Sequence, residues 1–245
     1  MKYLKKDKGS TKLFCFSPPV MIATFMIEVF LAMYVVFRYK MNPAIRLIAI
    51  ALGFLALFQI SEYFVCTGPD GIAWSRLGYV AITALPPLGL HILNKTTGRP
   101  NNFINKLAYT SMGFLMVYFL VAPNAFAGYQ CTGNYVIFQL TSNVSAIYTA
   151  YYYGWLLTAF VIGIWRMRNL KLDKVQKDNT KLLLLGYLVF LVPTAIVNTI
   201  RPETTAGIPS IMCGFAVFFA LILGLKIAPN LSEVQRNLKL PFSNK

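Results

Sequence analysis

Stretches free of charge divide the chain. Residues 13–37 contain one charged residue, Glu28, residues 47–65 contain one, Glu62, and residues 77–94, 107–165, 182–200 and 204–225 contain none. A helix that crosses a bilayer needs about 20 mostly apolar residues, so each stretch is long enough for a span and 107–165 is long enough for more than one. The middle of that long stretch, 128–145, gathers Gly, Asn, Gln, Thr and Ser, which are costly in hydrocarbon and natural in a loop. The pattern therefore predicts seven spans, about 13–37, 43–65, 75–95, 107–127, 147–165, 182–200 and 208–227. A basic tail at 1–12 precedes them and a tail at 229–245 follows. A closed barrel would need short segments of alternating residues, which Leu182-Leu183-Leu184-Leu185 and Phe215-Ala216-Val217-Phe218 do not provide. The expected fold is an all-α membrane protein, a seven-transmembrane-helix bundle.

Composition agrees with this and excludes a soluble domain. Apolar residues make up 57% of the 245 and charged residues 13%, where a soluble domain carries about a quarter charged residues. The localisation expected is the cell (inner) membrane, multi-pass. Net charge is +15, but the positive residues sit on loops beside the spans, where they set orientation and meet anionic lipid; nucleic acid is not an expected partner. Cytoplasmic loops collect Lys and Arg. With the N-terminus outside and the C-terminus cytoplasmic, sixteen of the 23 basic residues fall inside. An eight-span arrangement with the N-terminus inside does as well, and Lys2, Lys5, Lys6, Lys8 and Lys12 favour it. Seven is preferred because an extra span would run through the polar segment around Cys131 and Gln139.

Candidate chemistry concentrates toward the outer side. All four cysteines, Cys15, Cys66, Cys131 and Cys213, fall there, where disulfides persist. The like contexts Cys66-Thr67-Gly68 and Cys131-Thr132-Gly133 make Cys66 with Cys131 the first pairing to consider; Cys15 with Cys213 is a second pair, and four cysteines allow three connectivities. A carboxylate within a span faces the bundle interior and a partner. Glu28 and Glu62 are the two such acids, with Gln59, Glu62 and Cys66 on one stripe and Thr194, Asn198 and Arg201 on another. Arg76 and Arg201 are the cations at a depth to pair with Glu62, which makes a simple interhelical tie one reading. The other is an outward-facing ligand pocket formed by Glu28, Gln59, Glu62, Arg76, Tyr79, Tyr148, Tyr152, Asn198 and Arg201, with tyrosines crowding the outer half of the fifth span.

The prolines Pro86, Pro87 and Pro193 interrupt the third and sixth spans and free carbonyls for a side chain, a water or a ligand. His91, the single histidine, is read as a hydrogen-bonded packing residue in preference to a proton relay, and its solitude argues against a bis-histidine haem. Lys226 lies at the inner end of the last span, too far from mid-membrane for a retinal Schiff base. No cofactor is expected, and no nucleotide or hydrolase motif occurs.

Two resemblances add to this reading. The seven-span plan, with Trp74-Ser75-Arg76-Leu77-Gly78-Tyr79 opening span 3, then Leu85-Pro86-Pro87-Leu88 and the basic loop with Thr97-Gly98-Arg99, resembles the seven-helix N-terminal sensor region of bacterial histidine kinases. That implies an unknown small ligand on the outer side and, with only a short tail after the last span, a separate cytoplasmic signalling partner. Cys15-Phe16-Ser17, Gln59-x-x-Glu62 and Ser210-x-x-Cys213 are similar to a family of small bacterial multi-pass membrane proteins that begin with Cys-Phe-Ser. This second likeness implies that Cys15, Gln59, Glu62 and Cys213 converge. The leading expectation is a stand-alone seven-helix sensor or small-ligand-binding module. The alternatives are a membrane enzyme with a thiol or metal site at Cys15, Cys213 and Glu62, and a small-solute transporter.

Overall fold

In the computed structural model, which describes residues 18–99, 101–132 and 135–232, the charge-free stretches are seven helices long and apolar enough to cross a membrane. These are α1 (Pro18–Arg38), α2 (Pro43–Thr67), α3 (Gly71–Thr96), α4 (Asn102–Val121), α5 (Ser142–Asn169), α6 (Lys174–Ile200) and α7 (Ile208–Ile222). The last continues through a π-helical turn, Leu223–Ile227. The protein is a multi-pass membrane protein.

Polar residues at the connections set where the helices begin. Asn42 accepts the Ile45 amide ahead of Pro43 at the first turn of α2, Asp70 accepts from Ala73 at α3, and Asn101 accepts from Ile104 at α4. Each satisfies an amide that has no partner inside its own helix. Asp173 and Gln176 form a reciprocal capping box at the start of α6, so the basic connection after α5 is only a few residues long.

Helix α3 is the hub, with 83% of its apolar window buried, whereas α4 buries only 17% and α1 28%. The outer helices point large side chains away from the protein, including Phe30, Phe37, Phe114, Val121 and Ile200, all exposed. That much apolar surface would be an aggregation hazard in water and is what a lipid-facing belt requires. Small residues admit close neighbours: Leu31 of α1 lies against Gly224 in the π-helical turn, and Leu184 of α6 against Gly163 of α5.

The connection between α4 and α5 differs from the loop expected of 128–145. It is an antiparallel hairpin, β1 (Phe126–Cys131) with β2 (Val136–Leu140), bulged between Phe126 and Gly128. Val136 and Phe138 are buried while Gln139 is exposed, and Phe126 is also buried, so one face of the hairpin packs onto the helix ends. A pair of strands is not stable alone, and this one is held by the bundle. Helix α5 correspondingly starts at Ser142.

Candidate functional site: an aromatic cleft and a buried acid pair

Two groups of side chains meet under the hairpin. The first is an open cleft of about 350 Å³ between the hairpin, α3, α5 and the start of α7. Tyr79, Tyr148, Tyr152 and Tyr153 line it with Met212 and Cys213, and Gln139, Ser145 and Thr149 lie at polar positions along its walls. Tyr79 holds the assembly together. Its ring centroid is 5.0 Å from Phe119, 5.0 Å from Tyr148, 5.2 Å from Phe126 and 5.4 Å from Phe138, so α3, α4, α5 and both strands share one aromatic cluster.

Prolines in α3 contribute directly. Pro87 has no N–H for the carbonyl of Thr83, and the Tyr151 hydroxyl donates to that oxygen at 2.8 Å. The Thr83 hydroxyl donates to the carbonyl of Tyr79 and lies 3.4 Å from the Tyr148 hydroxyl. Below the cleft a narrow void of about 30 Å³, bounded by Leu55, Leu85, Gly89, Leu156 and Phe190, reaches Tyr187, whose buried hydroxyl has no partner among the described residues.

The second group lies between α1, α2 and α7. Glu28 and Glu62 are 0% and 1% exposed. Neither oxygen of Glu28 has a hydrogen-bond partner among the described residues, nor does Oε1 of Glu62. Ser210 bonds to the Glu62 carboxylate and its hydroxyl oxygen also accepts the amide of Val136 at 3.2 Å. A cavity of about 10 Å³ beside Glu62 is lined by Thr24, Gln59 and Ser210.

Cys213 joins the two groups. Its side chain lines the cleft, and its main-chain carbonyl accepts from Gln59 Nε2 at 3.1 Å on the acid side. Tyr79, Tyr148 and Tyr152 thus stand in the cleft, and Glu28, Gln59 and Glu62 stand behind it.

The remaining sequence candidates lie elsewhere. Arg76 does not reach Glu62: it donates to the carbonyls of Phe119 at 2.8 Å, Leu120 at 3.1 Å and Ala122 at 2.9 Å, capping the end of α4. Those carbonyls are left without helical donors at the chain turn, so a guanidinium with several N–H groups is suited to all three. Asn198 accepts from the Thr204 hydroxyl at 2.7 Å, and Arg201 caps α6, both at the joint with the 3-10 turn Pro202–Gly207. There, burial and the Glu203 carboxylate hold the Tyr135 phenol above its usual range, against the opposing pull of Arg201. His91 lies at the opposite end of the bundle, with Nδ1 2.9 Å from the Tyr109 hydroxyl.

Cys66 and Cys131 form a disulfide that ties the end of α2 to the end of β1. Cys213 is buried and unpaired among the described residues, and Cys15 lies outside them. Among the described residues no group of three or more His, Cys, Asp or Glu side chains is arranged to hold a metal.

Thr24 and Ser210 belong to the acid site although their residue types are too common inside membranes to stand out. Their signal is phase: Thr24 is one turn from Glu28, and Ser210 is three residues before Cys213 on the same face. Comparison with known proteins gives no match to a family model and none to a curated protein.

Proposed function

We propose that this is a membrane binding and sensing module that takes a small, largely apolar ligand into the tyrosine-lined cleft from the hairpin side. The observation that carries the reading is the cleft itself, a concave site of about 350 Å³ with an apolar floor, tyrosine walls and a few polar groups. This is the usual make-up of a small-molecule site. The floor selects aliphatic or aromatic bodies, and the tyrosine hydroxyls with Gln139 and Thr149 supply the orienting hydrogen bonds.

The hairpin end is placed outside, with the C-terminus cytoplasmic, in a cell membrane. A disulfide at that end is supported by an oxidising compartment, and the basic residues Arg38, Lys40, Arg46, Lys95, Arg99 and Lys106 all lie toward the other end. Output is through the α5 to α6 connection and its lysines to a cytoplasmic partner, because occupancy of the cleft bears on α3, α5 and α7 together.

The test is thermal stability in detergent across a panel of amphipathic metabolites, fatty acids and aromatic compounds. A ligand raises Tm in the wild type, and Thr149→Trp, which fills the cleft from an exposed position, abolishes the rise. No stabilisation by any compound, or stabilisation that survives Thr149→Trp, rejects the reading. A membrane enzyme that uses the Cys213 thiol is the second reading, supported by the place of that side chain in the cleft lining.

A further inference from the structure

Helix α4 carries a polar stripe beside apolar side chains that meet lipid. Asn102, Lys106 and Thr110 recur at four-residue spacing and are exposed, Asn105 and Tyr109 share their face, and the exposed Phe103 and Leu107 flank them. With His91 of α3 the five polar residues line an open groove of about 570 Å³ at the end of the bundle opposite the hairpin. The 20 residues of α4 span about 30 Å, the thickness of the hydrocarbon core. The stripe from Asn102 to Thr110 therefore climbs about 12 Å into a layer where bare polar groups are costly. The groove offers protons and one fixed positive charge. Asn105 accepts from Asn94 at 2.7 Å through its oxygen, which leaves its own amide N–H groups to give. His91 Nδ1 and the Tyr109 hydroxyl share one hydrogen bond at 2.9 Å, and in either tautomer of the neutral imidazole the pair keeps one more proton, on Nε2 or on the phenol. Lys106 adds an ammonium, and Asn102 opens α4, so the positive end of the helix dipole falls at the same place. No carboxylate is among the described residues that line the groove.

From this placement we infer that the groove between α3 and α4 binds a phospholipid of net negative charge, with its phosphate at Lys106, Asn105 and the pair of His91 and Tyr109. The stripe changes character where a lipid does. Gly113 continues it, and a Cβ there would meet nothing within 4 Å; beyond it on the same face stand Val117 and Leu120, both exposed. Donors at the end of the helix and open apolar surface above them match a headgroup joined to an acyl chain. A soluble anion would use only the polar part, and an apolar partner helix would leave the donors bare. A headgroup that carries its own ammonium, as choline and ethanolamine lipids do, meets Lys106 with no carboxylate to answer it, so the net-anionic class is preferred. The inference is independent of any ligand in the cleft, which lies at the hairpin end.

The experiment uses the full chain in detergent and counts retained lipid by native mass spectrometry. Phosphatidylglycerol and phosphatidylcholine with the same acyl chains are titrated separately. The chain retains one phosphatidylglycerol, about fivefold more tightly than phosphatidylcholine, and Lys106→Gln removes that preference, the worth of one lysine beside an anionic headgroup. Gly113→Phe fills the open space above the donors and weakens retention of phosphatidylglycerol. Lys177→Gln, an exposed lysine of α6 at the same end, leaves retention unchanged, and so does Thr149→Trp in the cleft. Equal retention of the two lipids, a preference that survives Lys106→Gln or is lost as fully in Lys177→Gln, or retention untouched by Gly113→Phe overturns the proposal. Competition by glycerol phosphate at the affinity of the whole lipid also overturns it, since the groove would then hold an anion without its chains. The wild type decides the matter if a variant does not fold: no preference for the anionic lipid rejects the site.

Discussion

The side-chain amide of Gln59 donates to the main-chain carbonyl of Cys213 at 3.1 Å, joining the helix that carries Glu62 to the residue that lines the aromatic cleft. Both ends are buried, so water cannot substitute if the bond is lost. Gln59→Leu keeps the volume and removes the donor. It is expected to cost about 1 kcal/mol, read as a fall in Tm of about 2 to 4 °C. Under the proposed function it also weakens ligand binding in the cleft, while a change of equal size in α4, far from Cys213, lowers Tm alone.

Arg76 closes the end of α4 from α3 by three hydrogen bonds to carbonyls. A charged donor to a carbonyl is worth more than a neutral one, and for these partly exposed bonds about 1.5 kcal/mol, the low end of the usual range, is expected. Arg76→Ala should lower Tm and speed proteolysis at the start of the hairpin, since Ala122 is the last residue held. Arg76→Lys should recover only part, because an ammonium on a flexible stem cannot serve three acceptors with the planar spread of a guanidinium. Thermal melts with limited proteolysis of the two variants give the comparison.

The Cys66 to Cys131 link closes a segment of 65 residues in sequence. The chain-entropy relation for a loop of that length gives about 4 kcal/mol in water. A membrane chain loses less, because α3 and α4 persist as spans in its unfolded state and already limit the ends. The larger effect is local. In a Cys15→Ser background, replacing Cys66 and Cys131 by Ser should loosen the hairpin over the cleft and raise the rate at which a maleimide labels Cys213, with a smaller loss in Tm. An unchanged labelling rate would mean that the aromatic cluster on Tyr79 holds the hairpin by itself.

Tyr187 offers a gain in stability. Its hydroxyl is buried without a partner among the described residues, a state that costs about 1 to 3 kcal/mol. Tyr187→Phe keeps the ring stack on Phe219, whose centroid is 5.5 Å away, and removes the penalty, so Tm should rise. A fall in Tm would show that the hydroxyl is satisfied in the membrane. Gly89→Ala, by contrast, should destabilise, since a Cβ there would meet the Tyr187 hydroxyl.

Much of this is legible in the sequence because charges are scarce in it. Seven apolar helices follow from the spacing of charged residues, and Glu28 and Glu62 stand out because an acid inside a span is costly. The like contexts of Cys66 and Cys131 carry the disulfide. The engagement of Arg76 is not legible, since any helix end at its depth presents the same carbonyls and only tertiary packing selects one. The hairpin is hidden because its polar residues read as loop. Its signal is the alternation of Val136, Phe138 and Leu140 after a short stretch with Gly and Asn, a strand pattern that is weak beside neighbouring spans of about 20 residues.

A proline inside a span frees a carbonyl, and the bond from the Tyr151 hydroxyl to Thr83 names the group that answers the one freed by Pro87. If that is the reason Tyr151 is needed, its worth depends on the proline. Tyr151→Phe alone should cost about 1 kcal/mol, because the carbonyl of Thr83 then has no donor. In a Pro87→Ala background the restored amide of residue 87 reaches back to that carbonyl, and the same Tyr151→Phe change should cost close to nothing. The four proteins form a double-mutant cycle with a coupling of about 1 kcal/mol. Additive losses would mean that Pro87→Ala leaves α3 bent and that the tyrosine answers the bend and not the missing N–H. Coupling of the expected sign would instead make the proline and the tyrosine a single device, which frees a carbonyl of α3 one turn from Tyr79 of the cleft without leaving a polar group bare in the membrane.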